Sequence, residues 1–267
     1  MTDQSHHAPD PAFSFAFQPI VNAESRKVVA WEALIRGAWD EPAWQVLNQI
    51  PSPRLPLFDR TARAAALALA ARLGIDRALH LNFLSQSLVS DPKTLVSTFE
   101  AAQRAGLPLD RIVLEAGETD ILEGRAPFLA QMREARDRGV KLAIDNFGSA
   151  YASLSLISDL EPDQVKLDMR LIRGIERPGP RQAVVRAIAQ VCAELRIELI
   201  AAGVETIAEY TWLRDHGLSV FQGYLFARPA FEALPPAQFP LTTLADLSAR
   251  PVLPSRPTAA TRTKKRA

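Results

Sequence analysis

The sequence holds a single cysteine, Cys192, among 267 residues, so no disulfide bond can form within the chain. This scarcity suits a reducing compartment, and we expect a cytoplasmic protein. The N-terminal segment carries Asp3, His6, His7 and Asp10 and lacks the apolar stretch of a secretory signal peptide. Runs of about 18 apolar residues are also missing, so no membrane span is predicted.

No charge of one sign dominates the chain. There are 31 Lys and Arg residues against 30 Asp and Glu residues, and the formal net charge is +1. Such a balance creates no overall field that would attract nucleic acid or a membrane surface, so neither is expected as a partner. The hydrophobic fraction of 48% is ordinary for a globular protein. The length fits either one barrel-sized domain or two smaller domains.

Short apolar runs alternate with helical patterns along most of the chain. The first two runs, Phe15–Val21 and Val28–Ile35, flank a polar turn and predict an opening β-hairpin. Helical patterns then separate further strand-like runs, at 79–83, 111–115, 141–145, 165–167, 199–202 and 220–222. This alternation is typical of parallel βαβ units. About seven units favour an α/β fold, an irregular (β/α)8 TIM-like barrel, over an open α/β sheet, which remains the alternative.

The two ends differ in composition from the middle. Residues 1–12 are polar and are predicted to be disordered, whereas residues 13–233 form the predicted globular domain. Residues 234–267 are rich in proline and end in a basic segment, which predicts a tail without fixed structure. We interpret this tail as solvated rather than as a patch for nucleic acid or membrane.

Polar side chains occur near the carboxyl ends of the predicted strands, where a barrel places its chemistry. Oxygen donors come from four different strands: Glu32, Asn82, Glu115 and Asp145. Oxygen ligands suit a hard dication such as Mg²⁺, Mn²⁺ or Ca²⁺. The four therefore predict a metal site at the mouth of the barrel, with ion pairs or helix caps as the alternative. His80 lies two residues before Asn82 and is a weaker candidate ligand.

Eight short motifs follow one another along the chain. They are FQPIV at 17–21, EALIR at 32–36, LNF at 81–83, LEAGET at 114–119, IDNFG at 144–148, VKLD at 165–168, AAGVET at 201–206 and QGYLF at 222–226. Together they resemble the ordered motif set of the EAL domains of bacterial cyclic di-GMP signalling. The sequence is also similar in character to the EAL domains found beside blue-light-sensing flavin modules. The resemblance covers roughly residues 13–233.

The resemblance implies a barrel that hydrolyses cyclic di-GMP to linear pGpG with the help of two divalent ions, Mg²⁺ or Mn²⁺. It also implies that Ca²⁺ inhibits this reaction. Two such ions activate a water molecule and stabilise the attacking and leaving oxygens. By position, Glu32, Asn82, Glu115 and Asp145 resemble the ligands of the first metal, and Asp145 would also bridge to the second.

Other positions also match the family pattern. Lys166 resembles the lysine that holds the nucleophilic water, and Arg36 resembles the phosphate-contacting arginine, a role suited to its fork of donors. Glu205 and Gln222 match polar positions near the substrate. We assign Glu205 to catalysis with Lys166, and Gln222 to substrate binding with Arg36. Glu118 resembles the glutamate that anchors the loop after the strand ending near Asp145.

Two positions depart from the family pattern. The family has paired aspartates where this chain has Asp145 and Asn146, and it has a glutamate where this chain has Ala202. Both missing groups resemble ligands of the second metal. Losing one such carboxylate commonly costs about 10²–10³-fold in rate. The loop at 148–150 is also altered, because Ala150 replaces a glycine and adopts a positive φ less readily.

We therefore expect a catalytically impaired EAL domain that keeps its first metal site and binds cyclic di-GMP or a protein partner. An active phosphodiesterase that tolerates Asn146 and Ala202 is the alternative. A protein-interaction scaffold that binds no nucleotide is a further one. The family also implies a possible homodimer, through the face near Asp145 and Phe147, and outputs in motility or biofilm control.

Overall fold

The computed structural model describes residues 10–84, 94–118, 121, 125–149 and 154–240. Within them, eight strands form a closed barrel, and a short ninth strand, β9, pairs with β1 at Ala16 and Phe17. The strands are β1 (Phe13–Asn22), β2 (Lys27–Gly37), β3 (Ala78–Asn82), β4 (Ile112–Gly117), β5 (Lys141–Phe147), β6 (Gln164–Leu167), β7 (Glu198–Ala201), β8 (Val220–Phe221) and β9 (Ala230–Phe231).

The strand order confirms the predicted irregular (β/α)8 barrel with an opening hairpin. Strands β1 and β2 form an antiparallel pair in which Gln18 lies opposite Glu32. Parallel pairing then runs from β2 through β8, and β8 pairs with the end of β1 to close the barrel. The carboxyl ends of seven parallel strands therefore meet at one mouth, where barrels place their chemistry.

Helices alternate with these strands around the barrel. They are α1 (Ala43–Leu47), α2 (Leu55–Arg72), α3 (Thr94–Arg104), α4 (Arg125–Asp137), α5 (Leu154–Leu160), α6 (Met169–Ile172), α7 (Pro180–Leu195) and α8 (Ile207–Asp215). The sequence pattern did not predict α1, α5 or α6, because segments this short cannot display a helical period. None of the described helices is both long and apolar enough to cross a membrane.

The hydrophobic core lies mainly between the strands and the surrounding helices, where side chains such as Phe128 and Leu67 are fully buried. A smaller cluster, Ile20, Ala30, Ile200 and Val220, is separate from it. Side chains alternate along a strand, so Ile20 and Ala30 point inward like Gln18 and Glu32, one step farther from the mouth. Apolar packing thus closes the barrel beneath the polar mouth.

The packed part of the chain extends past the boundary predicted at 233. The backbone N–H of Gln238 donates to the carbonyl of Phe226 at 2.8 Å, and the Phe226 and Phe239 rings lie 6.2 Å apart. The Arg26 guanidinium lies 5.2 Å from the centre of the Phe239 ring. Residues 1–9 and 241–267, on which most of the predicted disorder falls, lie outside the described residues.

Candidate active site

The four predicted metal ligands meet at the mouth of the barrel. Neighbouring strands β2, β3, β4 and β5 each contribute one of them, and all four line a single cavity of about 580 Å³. The parallel register places Asn82 beside Glu115. The Asn82 amide nitrogen lies 3.5 Å from Glu32 Oε1. Parallel pairing of these strands therefore brings together residues that are far apart in sequence: Glu32, Asn82, Glu115 and Asp145.

Lys166 on β6 lies among these carboxylates. Its ammonium nitrogen is 3.0 Å from Glu32 Oε2, 2.8 Å from Glu115 Oε1 and 3.5 Å from Asp145 Oδ1. The side chain is only 2% exposed, so these carboxylates rather than water stabilise its charge. We refer to Glu32, Asn82, Glu115, Asp145 and Lys166 as the acidic cluster.

The acidic cluster carries more carboxylate groups than one lysine can neutralise. Burial raises the pKa of Glu115 to about 8, and the charge of Glu32 adds to this effect. Burial also raises the pKa of Asp145 to about 6 against the opposing charge of Lys166. For Glu32, burial acts in the same direction, but Lys166 and a hydrogen bond from Gln222 outweigh it and hold the pKa at about 2.

The pKa of Lys166 lies well above its ordinary value. Burial alone would lower it, but the attraction of Asp145, Glu115 and Glu32 is stronger. The lysine therefore stays charged and holds the carboxylates together.

The donors of the acidic cluster fit Mg²⁺ or Mn²⁺ in chemical type and in charge. Hard dications take oxygen ligands, and the cluster offers three carboxylates and one amide. A dication would stabilise the ionised forms of Glu115 and Asp145, whose pKa values are raised by burial first and by neighbouring carboxylates second. As they stand, no three acidic, histidine or cysteine side chains among the described residues form a group that could hold an ion. In this arrangement the positive charge comes from Lys166.

His80 supports Glu115 from inside the barrel. Its Nδ1 lies 2.6 Å from Glu115 Oε1, and both side chains are fully buried. Burial, and after it the charge of Lys166, lowers the pKa of His80 to about 3, so the ring is neutral. The hydrogen bond between this neutral ring and the Glu115 side chain orients the carboxyl group, as ligand-supporting groups commonly do. The structure therefore places His80 in contact with the Glu115 side chain and not among the residues that line the cavity.

A chain of amides fixes the carboxylate of Glu32. The Gln222 side chain donates to Glu32 Oε2 at 2.6 Å and to Gln18 Oε1 at 3.2 Å. Gln18 in turn donates to the Ala227 carbonyl at 3.0 Å. Gln18 belongs to the FQPIV motif at 17–21, but the sequence alone indicated no role for it. Its position opposite Glu32 in the predicted hairpin is the signal that could have identified it.

At the two departing positions, neither Asn146 nor Ala202 supplies a carboxylate. Asn146 has a left-handed backbone with φ of 53°, a conformation that asparagine tolerates well. Its side-chain nitrogen donates to Asp145 Oδ2 at 2.7 Å. Ala202 follows β7 and presents only a methyl group. The prediction about the backbone of Ala150 concerns a residue outside the described ones.

Glu118 lies just after β4 and is 1% exposed. Its Oε2 accepts a hydrogen bond from the backbone N–H of Gly148 at 3.2 Å. Gly148 belongs to the segment that follows β5, so the contact joins Glu118 to the loop that it was predicted to anchor.

Arg36 and Glu205 lie outside the acidic cluster. Arg36 donates to the carbonyl of Ile35 at 2.8 Å, and its Nε lies 3.6 Å from Asp40 Oδ1. Glu205 Oε2 lies 2.7 Å from Arg173 Nη1, and this hydrogen bond lowers the pKa of Glu205. The roles assigned to Arg36 and Glu205 stay predictions, and Arg173 had not been identified from the sequence.

Comparison with known proteins gives a consistent family assignment. The EAL domain family model matches residues 5–229. The blue light- and temperature-regulated antirepressor BluF of Escherichia coli strain K12 is 31% identical over 227 residues, which cover 85% of this chain and 56% of BluF. The probable cyclic di-GMP phosphodiesterase PdeD of the same strain is 29% identical over 226 residues, which cover 81% of this chain and 41% of PdeD. The chain thus spans about half the length of these relatives.

Solved structures share the fold. Klebsiella pneumoniae BlrP1, in a complex with manganese and cyclic di-GMP at pH 6, is 34% identical with a TM-score of 0.81, and the match covers 86% of this chain and 58% of that one. A standalone EAL protein from Vibrio cholerae O395, in its cyclic di-GMP-bound form, is 35% identical with a TM-score of 0.80. The match covers 86% of this chain and 98% of the Vibrio protein. Given the family match over most of its length and the motifs placed on a closed barrel, the chain belongs to the EAL domain family.

Proposed function

We propose that this chain binds cyclic di-GMP at the mouth of the barrel and acts as a receptor or regulator, with slow or absent hydrolysis to pGpG. The observation that carries the proposal is the chemistry at Asn146 and Ala202. The first offers an amide that donates to Asp145, and the second offers no polar atom. The related structures named as cyclic di-GMP complexes support the choice of ligand.

One divalent ion, Mg²⁺ or Mn²⁺, would be held by Glu32, Asn82, Glu115 and Asp145. When bound, such an ion polarises phosphoryl oxygens and lowers the pKa of water. A second ion would lack the two negative charges that the family pattern supplies at positions 146 and 202. Losing one such charge commonly costs about 10²–10³-fold in rate, so losing both leaves little turnover.

The side chains around the ligands have supporting roles in this proposal. Lys166 provides a fixed positive charge beside Glu32 and Glu115, where it would hold a water molecule or a phosphate oxygen. Gln222 and His80 keep the carboxylates of Glu32 and Glu115 oriented. Such prior orientation lowers the cost of ordering the site when a ligand arrives.

Two other functions are favoured by specific observations. The complete first ligand set favours an active phosphodiesterase that tolerates Asn146 and Ala202. The likeness to BluF, which is named an antirepressor, favours a regulator that acts through a protein partner. A homodimer is compatible with each of these functions.

A binding and turnover experiment on one preparation tests the proposal. Cyclic di-GMP is titrated into the purified chain with Mn²⁺ in a calorimeter, and the mixture is then analysed for pGpG by chromatography. We expect binding with little product, and Glu32→Gln should remove any residual product. Rapid conversion by the unmodified chain would overturn the impairment. Absence of both heat and a thermal shift would instead support a scaffold that binds no nucleotide.

A further inference from the structure

A second buried charged group lies between α2 and α3, apart from the acidic cluster. The Arg63 side chain is 3% exposed, and its Nη1 forms an ion pair with the Asp59 carboxylate. Its Nε donates to Thr98 Oγ1 at 3.1 Å. The guanidinium carbon lies 4.5 Å from the centre of the Phe83 ring, within the range of a cation–π contact. These contacts hold the guanidinium in one orientation.

The remaining guanidinium nitrogen, Nη2 of Arg63, is buried and has no hydrogen-bond acceptor. A guanidinium carries five N–H donors and cannot be deprotonated in a protein. A buried donor without an acceptor is costly, so such a group in a folded protein requires an explanation. Asp59 offsets the charge of Arg63 but leaves the two hydrogens on Nη2 without a partner. A ligand that supplied an acceptor would satisfy them.

Arg63 is one of the residues that line the same cavity as the proposed metal ligands. The cavity of about 580 Å³ is lined by Arg63 and Asp59 and also by Glu32, Glu115 and Asp145. Many of its other walls are apolar, among them Leu34, Phe58, Ala62, Ala66, Leu81 and Phe83. Ligand sites commonly combine such apolar walls with a few placed polar groups. A flat heterocycle with apolar faces and a hydrogen-bonding edge fits this part of the cavity.

We propose that Arg63 recognises a guanine base of the bound dinucleotide, with Nη2 donating to O6 and N7. This inference rests on the proposed binding of cyclic di-GMP and adds a specificity-determining residue to it. Guanine presents two acceptors on this edge, and arginine is its commonest specific partner. Adenine presents an N6 amino donor beside N7, which would oppose the donors of Nη2. The arrangement therefore selects guanine over adenine.

The test compares two ligands on three proteins. The ligands are cyclic di-GMP and its analogue in which both guanine N7 atoms are replaced by C–H, which removes one acceptor without changing shape. The proteins are the unmodified chain, Arg63→Met and the control Arg72→Met, which removes an exposed arginine from the same helix. Dissociation constants are measured by calorimetry, and folding is checked by circular dichroism.

We expect the unmodified chain and Arg72→Met to bind the analogue about 5-fold or more weakly than cyclic di-GMP. Arg63→Met should bind cyclic di-GMP more weakly than the unmodified chain and should not distinguish the two ligands. If Arg63 has only a structural role, Arg63→Met will bind both ligands more weakly by the same factor. The ratio of its two dissociation constants will then equal that of the unmodified chain, and this result would overturn the assignment.

The unmodified chain also provides a test that does not depend on the folding of Arg63→Met. If the unmodified chain binds the two ligands with equal affinity, that result alone would refute recognition of guanine N7. Failure of the unmodified chain to bind cyclic di-GMP at all would overturn the proposed function, and the inference with it. The two failures are therefore distinguishable in the same titrations.

Discussion

The side-chain amide of Asn146 donates a hydrogen bond to the carboxylate of Asp145, with the two atoms 2.7 Å apart. An aspartate at position 146 could not make this contact when ionised, because a carboxylate only accepts hydrogen bonds. The asparagine thus stabilises Asp145 from within the chain, at a position where the family pattern places a ligand of a second cation. This contact places a neutral hydrogen-bond donor, and not a second carboxylate, beside Asp145.

Restoring the two missing carboxylates should restore hydrolysis. We expect the double variant Asn146→Asp with Ala202→Glu to raise the rate of pGpG formation with Mn²⁺ by about 10²-fold or more. The physical reason is the return of two negative charges beside Asp145. Product formation from cyclic di-GMP, followed by chromatography, is the measurement.

The matched control is Ala202→Gln, which adds a side chain of the same shape as glutamate without its charge and leaves Asn146 in place. Its rate should stay close to that of the unmodified chain. If the double variant gains nothing although it binds cyclic di-GMP, the impairment lies outside positions 146 and 202.

Manganese binding should depend on Glu115. Glu115 is a buried carboxylate of the acidic cluster, so we expect Glu115→Gln to weaken Mn²⁺ binding tenfold or more, about 1.4 kcal/mol. Titration calorimetry without nucleotide measures the affinity and the number of ions, which we expect to be one per chain. Glu134→Gln is the control, because Glu134 is exposed and pairs only locally, with Arg138.

An unchanged Mn²⁺ affinity in Glu115→Gln would place the ion elsewhere. Two ions bound per unmodified chain, both with high affinity, would contradict the loss of the second site.

The barrel was predictable because its signals are local. Each strand is a short apolar run, and each candidate ligand is close to the end of such a run, so the sequence alone predicts that Glu115 and Asp145 lie at the same mouth. The family pattern then singled out Asn146 and Ala202. Helix α6, with four residues, was missed because it is too short to show a period.

Contacts that depend on closure of the barrel could not be predicted in the same way. Gln18 and Gln222 are 204 positions apart and meet only because β8 pairs with β1. The burial of Arg63 depends on how α2 packs against α3, and a charged residue in a helical pattern is usually solvent-exposed. Tertiary packing, and not local sequence, places both.

The backbone beside Gln222 should not tolerate a side chain at Gly223. A Cβ atom built at Gly223 lies 2.0 Å from the carbonyl oxygen of Val204 and 2.4 Å from the backbone nitrogen of Val204. Both are backbone atoms, so neither can rotate away as a side chain could. We expect Gly223→Ala to lower the free energy of unfolding by about 1–3 kcal/mol or more, as overpacking does. Urea denaturation followed by circular dichroism measures the change.

Gly179→Ala is the control for that substitution. Its Cβ atom would lie 3.9 Å from the nearest backbone atom, an ordinary contact. Gly179 is the N-cap of α7, where alanine is a poorer residue than glycine, so we expect the urea midpoint of Gly179→Ala to fall, but by less than that of Gly223→Ala. A Gly223→Ala variant as stable as this control would show that the chain between β7 and β8 can shift freely.

Cys192 should be inert in the folded protein. It lies on α7, is 1% exposed and is the only cysteine in the sequence. Burial raises the pKa of its thiol to about 11, from an ordinary value of 9.0. The thiolate is the reactive form, so near pH 8 this shift alone should slow reaction with a disulfide reagent about 100-fold, and restricted access should slow it further. Thiol release followed by absorbance measures the rate.

The control combines Cys192→Ser with Ser158→Cys, because Ser158 is exposed. The introduced thiol should react quickly in the folded protein, whereas Cys192 should react quickly only in concentrated urea. Equal rates under native conditions would contradict the packing of α7 against the barrel. Labelling of Cys192 then requires this packing to open, so the labelling rate also reports the stability of the folded chain. A ligand that binds only the folded chain must therefore slow labelling wherever opening precedes it.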